Sequence, residues 1–127
     1  MYKKLLLNYY HNPVNCGVIE NYSFATELVN FSCSDKVVFY VQVESDMIKN
    51  ISYQGQGCII SQASASMFTE YIINKNFLFI ENLTDRDMLK LIDLDLGPNR
   101  LKCVMLSLEA MKMGILKYKQ DKIKTKI

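Results

Sequence analysis

The stretch KVVFYVQVESDMIKNISYQ, residues 36–54, decides the fold because it describes two strands joined by a tight turn. Apolar side chains recur at every second position of the first strand, Lys36 to Val43. They are Val37, Phe39, Val41 and Val43. Ser45 and Asp46 lead into a second alternating run, Met47 to Gln54. Together with a preceding candidate, Ser23 to Asn30, these short links predict an antiparallel sheet of three strands.

The segments on either side of these strands show the spacing of helices. The predicted helices are a short N-terminal one from Tyr2 to Asn12-Pro13, a long one from Ile60 to Ile72, a short one from Thr84 to Leu91, and a final one from Leu101 to Ile115 after a break at Gly97-Pro98. Together these strands and helices predict an α+β fold, a small three-stranded antiparallel sheet with helices packed on one face. We expect one domain over residues 1–127, with a basic segment at 118–127.

Composition and the N-terminal sequence limit the location and the partners. A net charge of +2 is too small to indicate nucleic-acid binding. The apolar run after Met1 ends at Asn8, which is too short for an export signal, and no run is long enough to span a membrane. We therefore expect a cytoplasmic protein with neither a nucleic-acid nor a membrane partner. Cytoplasmic thiols stay reduced, so clustered cysteines there more often bind metal or do chemistry than form disulfides.

Three of the four cysteines lie at predicted junctions between elements. Cys33 lies between the first two strands, Cys58 follows Gly55-x-Gly57 at the start of the long helix, and Cys103 lies near the start of the last helix. A helix N-terminus favours a thiolate, and basic neighbours at Cys103 add to this effect, so we expect lowered thiol pKa values. Asp35 offers an oxygen ligand beside Cys33, and a Cys₃Asp set suits Zn²⁺ or the corners of an iron–sulfur cluster.

Spacing alone leaves a plainer interpretation open, because free cysteines are among the most buried residue types and often act as small hydrophobes. No pair of cysteines has the C-x₂-C spacing of a zinc ribbon. Cys16 is interpreted as incidental, and His11 as a surface or packing residue rather than a ligand.

Several motifs resemble one known family. Residues 55–70, GQGCIISQASASMFTE, are similar to the signature of the U-type iron–sulfur cluster assembly scaffolds, the IscU, SufU and NifU N-terminal family. His11-Asn12-Pro13-x-Asn15-x-Gly17 resembles its N-terminal motif, Cys33-x-Asp35 its first ligand loop, and Arg100-x-Lys102-Cys103 its third cysteine. These matches keep the family's order from about residue 9 to 115, nearly the whole chain.

The resemblance implies a scaffold that assembles and transfers [2Fe–2S] clusters, a binding and transfer module rather than an enzyme in the strict sense. It implies sulfur delivery as a persulfide by a cysteine desulfurase, iron as the second component, and apo iron–sulfur proteins as acceptors. By positional match the ligands are Cys33, Asp35, Cys58 and Cys103, with Cys103 as the persulfide acceptor and Asp35 tuning the lability of the cluster.

The same motifs keep a second function open. The Lys102-Cys103 pair and the Ala-Ser-Ala-Ser run at residues 63–66 look like the SufU branch, whose members carry zinc and accept sulfur. The chain lacks the insertion that SufU proteins carry before the third cysteine, and Ser34 replaces a glycine usual in the family. The alternative function is a zinc-dependent sulfurtransferase, and we expect the purified protein to contain Zn²⁺. A purely structural zinc domain is the third interpretation.

Overall fold

The computed structural model describes residues 4–31, 34–92 and 98–125, leaving aside the side chains of residues 98, 99 and 125. In these ranges the elements are α1 (Lys4–His11), β1 (Phe24–Asn30), β2 (Asp35–Glu44), β3 (Met47–Gln56), α2 (Ile59–Ile72), α3 (Phe77–Glu81), α4 (Asp85–Ile92) and α5 (Pro98–Thr125). The predicted α+β class is confirmed.

The sheet is a three-stranded antiparallel meander in the order β1-β2-β3, as predicted. Ser45 and Asp46 connect β2 to β3 with φ angles of 53° and 59°. Positive φ at both central residues is what a tight hairpin turn of type I′ requires, because its twist matches that of the strands. The observed strands differ from the predicted ones by one or two residues at their ends.

The core lies between one face of the sheet and the helices. Val37, Phe39 and Val41 are buried on that face, as the alternation in β2 predicted. The ring of Phe39 packs 5.9 Å, between centroids, from that of Phe68 on α2. α5 lies over β1, where the Thr26 hydroxyl donates a 3.0 Å hydrogen bond to the carbonyl of Ala110. These contacts fix both long helices on the sheet.

Two helices differ from the sequence-based expectation. The run from Phe77 to Glu81 forms α3, which was not predicted because five residues are too few to show a helical period. α5 begins at Pro98 rather than Leu101 and continues past Ile115 to Thr125, so it includes part of the basic segment. Pro98 is the first residue of α5, a position to which proline is well suited, whereas Gly97 of the predicted break lies outside the described residues.

The helix α4 begins as predicted. The backbone N–H and the hydroxyl of Thr84 both donate to Asp87, and the N–H of Asp87 returns a bond to the Thr84 hydroxyl. This reciprocal arrangement satisfies N–H groups that would otherwise lack a partner at the start of the helix.

The topology gathers distant segments at one end of the sheet. Because β2 and β3 are antiparallel, Lys36 pairs with Gln56, so the start of β2 adjoins the residues that follow β3. α5 runs antiparallel to β1, since Phe24 contacts Tyr118 whereas Leu28 lies near Leu101 and Met105. The first turns of α5 therefore lie at that same end of the sheet.

Candidate metal centre

Asp35 and Cys58 are held together by the backbone around Gly57. The N–H of Cys58 donates a 2.9 Å hydrogen bond to Oδ1 of Asp35, whose side chain is fully buried. Gly57 has a φ of +132°, and a Cβ added there would overlap the Asp35 carboxyl group. Only glycine fits both the backbone conformation and the space, so Gly57 sets the approach of the two ligands.

Cys58 caps the long helix α2 with its own sulfur. The N–H of Ser61 donates to Cys58 Sγ at 3.4 Å, and the Ser61 hydroxyl donates to the Cys58 carbonyl at 3.1 Å. The residue is exposed, as expected for a sulfur left uncovered by the preceding glycines. Sequence reasoning missed Ser61, although its place three residues after a capping residue is the usual position of the N–H donor.

Cys103 occupies a different environment from the one predicted. It is the sixth residue of α5, so it lies in the second turn, and its residue is only 7% exposed. Burial, followed by hydrogen bonds with Asp35 and Cys58, raises the pKa of its thiol well above the ordinary value. The predicted lowering of this pKa is therefore wrong, because burial dominates and the influence of a helix terminus fades beyond its first turn.

The three side chains nevertheless form one cluster. The ligand atoms of Asp35, Cys58 and Cys103 all lie within 4.8 Å of one another, and Cys58 Sγ is 3.6 Å from Oδ2 of Asp35. Ligand atoms around a tetrahedral Zn²⁺ ion are separated by about 3.5–4 Å, so small side-chain shifts suffice to fit a metal. Two thiols and a carboxylate are also the donor types that zinc and iron accept.

The remaining candidates have different positions. Cys33 lies outside the described residues. Cys16 is exposed and forms an isolated bridge with Tyr53, and His11 is the exposed last residue of α1. Neither belongs to the cluster of Asp35, Cys58 and Cys103. Ser34 has a φ of 60°, the left-handed conformation in which glycine is most easily accommodated.

Comparison with known proteins decides the family. The family described as the NifU-like N-terminal domain matches residues 1–125. The chain belongs to this family. In this NifU-like domain Asp35 begins β2, Cys58 directly precedes α2 and Cys103 lies in α5. The cluster thus brings together residues from three of the motifs that resemble the family.

Two relatives of the NifU-like domain carry different functional names. It is 30% identical over 134 aligned positions to the zinc-dependent sulfurtransferase SufU of Bacillus subtilis, covering 92% of this chain and 90% of that protein. It is 31% identical over 133 positions to the iron–sulfur cluster assembly scaffold protein IscU of Thermotoga maritima, covering 92% and 94%. Sequence similarity thus links the chain to both branches.

A solved structure of similar fold is the putative scaffold protein for the SUF system from Fervidobacterium islandicum. It matches with a TM-score of 0.80 at 27% identity, over 90% of this chain and 96% of that chain. A nitrogen-fixing NifU-like protein from Brucella abortus matches with a TM-score of 0.76 at 15% identity, which concerns the fold alone.

Among the helices in the described ranges, none has both the length and the apolar character needed to cross a membrane.

Proposed function

We propose that the protein is a scaffold on which a [2Fe–2S] cluster is assembled and from which the cluster is transferred to apo-proteins. The observation that carries this proposal is the convergence of Asp35, Cys58 and Cys103 from three elements far apart in sequence. The names of the similar IscU and SufU proteins support it. In this proposal the iron–sulfur cluster is cargo that must leave the protein, so the exposure of Cys58 at the site is an advantage.

Cys33 is the fourth ligand in the proposal. Two peptide units separate it from Asp35, which limits the distance between their Cα atoms to about 7 Å. Asp35 itself lies in the cluster of ligand atoms, so the sulfur of a residue two positions before it is within reach of the same centre. The proposed set is then Cys33, Cys58 and Cys103 with the carboxylate of Asp35.

Asp35 supplies the lability that a carrier needs. A carboxylate oxygen is a harder ligand than a thiolate and a poorer match for iron in a sulfide cluster. Its carboxyl group is held by the Cys58 N–H and by close packing against the backbone of Gly57. We therefore assign to Asp35 the bond that opens when an acceptor protein takes the cluster.

Cys103 is the proposed acceptor of sulfur from a cysteine desulfurase. Its thiolate attacks the outer sulfur of the desulfurase persulfide, a new S–S bond forms on Cys103, and the desulfurase cysteine leaves as a thiolate. The raised pKa of Cys103 means that its proton must be lost first. We propose that docking of the desulfurase uncovers this sulfur, in a cytoplasmic setting where thiols remain reduced.

A second function, a zinc-dependent sulfurtransferase, is favoured by one specific observation. The group of ligand atoms pairs an exposed sulfur, that of Cys58, with a buried one, that of Cys103, beside a carboxylate. These three donors suit three of the four positions of a tetrahedral zinc ion, and exchange of Cys103 between zinc and a persulfide would relay sulfur without any iron–sulfur cluster.

Anaerobic reconstitution with ferrous iron, cysteine, a cysteine desulfurase and a thiol reductant, which reduces the persulfide sulfur to sulfide, separates these functions. The scaffold predicts a visible charge-transfer spectrum that is lost in Cys33→Ala and Cys58→Ala but retained in the matched control Cys16→Ala. Tightly bound zinc, faster desulfurase turnover and no cluster would favour the sulfurtransferase instead. Zinc whose removal unfolds the chain, without any effect on a desulfurase, would contradict both and indicate a structural site.

A further inference from the structure

The two edges of the sheet differ in how their backbone groups are satisfied. The outer edge of β3 is covered by two chain segments, one at Asn15 to Gly17 and one at Asn74 to Lys75. They exchange hydrogen bonds of 2.7–2.9 Å with Tyr53 and Ile48. β1 forms the opposite edge and pairs only with β2, and no other strand in the described ranges joins it. An open edge is a template for a further strand.

Two clefts flank this open edge, between β1 and α5. The first has a volume of about 540 Å³ and is lined by Tyr22, Phe24, Ala25 and Tyr118 at the start of the strand. The second, of about 530 Å³, lies at the end of the strand. Both volumes fall in the range of sites that accept a bulky group.

A single aromatic side chain projects from the end of β1. Phe31 directly follows the strand and is 91% exposed, more than any other large hydrophobic residue in the described ranges. Burying such a ring is worth enough to change an association constant by tenfold or more.

The two clefts also differ in charge. The first includes Lys117, Lys122 and Asp121, with an excess of one positive charge, whereas the second includes Asp85, Glu109 and Lys102, with an excess of one negative charge. The edge therefore has a basic end and an acidic end. An antiparallel pair of identical edges brings each basic end to an acidic end.

We propose that two copies of this chain associate through their β1 strands, antiparallel, with Phe31 of each copy in the aromatic first cleft of the other. A register with Leu28 opposite Leu28 places Phe31 opposite Ala25, which lines that cleft. The same register sets Glu27 opposite Val29 and leaves the two Glu27 side chains on a diagonal, where the charge of each is offset by its own ion pair with Lys36 at 2.8 Å. This inference does not depend on the proposed function.

Sedimentation velocity of the full chain over a series of concentrations tests the association. The expected result is a concentration-dependent shift from monomer to dimer, weakened by high salt because the complementary ends are screened. Phe31→Ala should raise the dimer dissociation constant tenfold or more. Leu78→Ala, which truncates another exposed side chain that lines neither cleft, is the matched control and should leave the constant unchanged.

Two further measurements locate the interface. Ala25→Arg adds a bulky charged side chain to the exposed first cleft and should weaken the dimer as Phe31→Ala does. Hydrogen exchange of the wild-type protein should slow with concentration in Phe24–Asn30. A monomer at every concentration, equal effects of Phe31→Ala and Leu78→Ala, or concentration-dependent protection confined to other segments would overturn the proposal.

Discussion

Cys58 and Cys103 are the same residue type and their sulfur atoms lie within 4.8 Å of each other, yet the fold gives them opposite surroundings. Cys58 precedes its helix, is exposed and receives an N–H bond from Ser61. Cys103 lies in the second turn of its helix and is buried, and its thiol pKa is raised. The difference teaches that position relative to the first helical turn decides whether a cysteine sulfur can cap the helix, whereas tertiary packing decides how far that sulfur is exposed.

The contrast between the two cysteines assigns them different parts in the proposed function. An exposed, capped sulfur is ready to take a ligand, whereas the buried one must lose its proton and be uncovered before it reacts. Asp35 connects the two, because it accepts a bond from the backbone of Cys58 and contacts the thiol of Cys103. Substitutions around Cys58 and around Cys103 should therefore change the stability of the protein by different amounts.

The largest effect is expected on the Cys58 side, from Gly57→Ala. The new Cβ would overlap the Asp35 carboxyl group at a φ of +132°, so we expect a loss of about 3 kcal/mol or more in the free energy of unfolding. Gly17→Ala is the matched control, since Gly17 has a φ of +135° with no atom within 4 Å of the added Cβ. Denaturant unfolding measures both, and equal losses would show that the Asp35 contact contributes nothing.

The next effect belongs to Cys103 and depends on pH. Its folded pKa is raised, so above about pH 8.5 the unfolded metal-free chain loses this proton while the folded one keeps it. Stability should therefore fall between about pH 8.5 and 10, by at most about 1.4 kcal/mol per pH unit for one group. Cys103→Ala should remove this slope and Cys16→Ala should retain it. A slope that persists in Cys103→Ala would contradict the assignment.

A smaller effect separates the two roles of Cys58. Cys58→Ser keeps a side chain that can accept the Ser61 N–H bond, so its stability should stay within about 0.5 kcal/mol of wild type, whereas Cys58→Ala should lose about 1 kcal/mol. Both variants remove the same sulfur ligand, so zinc affinity should fall by a similar factor in the two. Thermal unfolding and metal titration check the pair, and equal stability of the two variants would mean that the sulfur is not a significant helix cap.

The smallest effect concerns Ser34, the residue before Asp35. Ser34 has a φ of 60°, so Ser34→Gly relieves backbone strain but adds entropy to the unfolded chain, for a net gain of about 0.5 kcal/mol. Denaturant unfolding of the metal-free variant measures it. A clear loss of stability would show that the serine side chain, rather than the backbone conformation, matters at this position.

Much of the fold was predictable from local pattern. The alternation in β2 identified its buried face, and the Thr84–Asp87 spacing identified the start of α4, because both signals arise from neighbouring residues. The helix α3 was missed since its five residues show no period, although Asn76 accepts the Phe79 N–H as a capping residue. The sequence signal for α3 is therefore its capping residue Asn76, and not a periodic repeat of apolar residues.

The site was only partly predictable. The motifs pointed to Asp35, Cys58 and Cys103, and the antiparallel hairpin explains why Asp35 adjoins Cys58. The wrong pKa direction at Cys103 followed from placing the start of α5 at Leu101 instead of Pro98. Burial of a thiol depends on tertiary packing, which local spacing does not contain. The close fit of Gly57 against Asp35 is likewise a contact between residues distant in sequence.

The most direct test of the proposed ligand set is X-ray absorption spectroscopy of the zinc-loaded protein. We predict sulfur ligands from Cys33, Cys58 and Cys103 with a carboxylate oxygen from Asp35. The sulfur count should fall by one in each single cysteine-to-serine variant at these positions and stay unchanged in Cys16→Ser. A sulfur count unaffected by Cys58→Ser or Cys103→Ser, or reduced by Cys16→Ser, would contradict this ligand set.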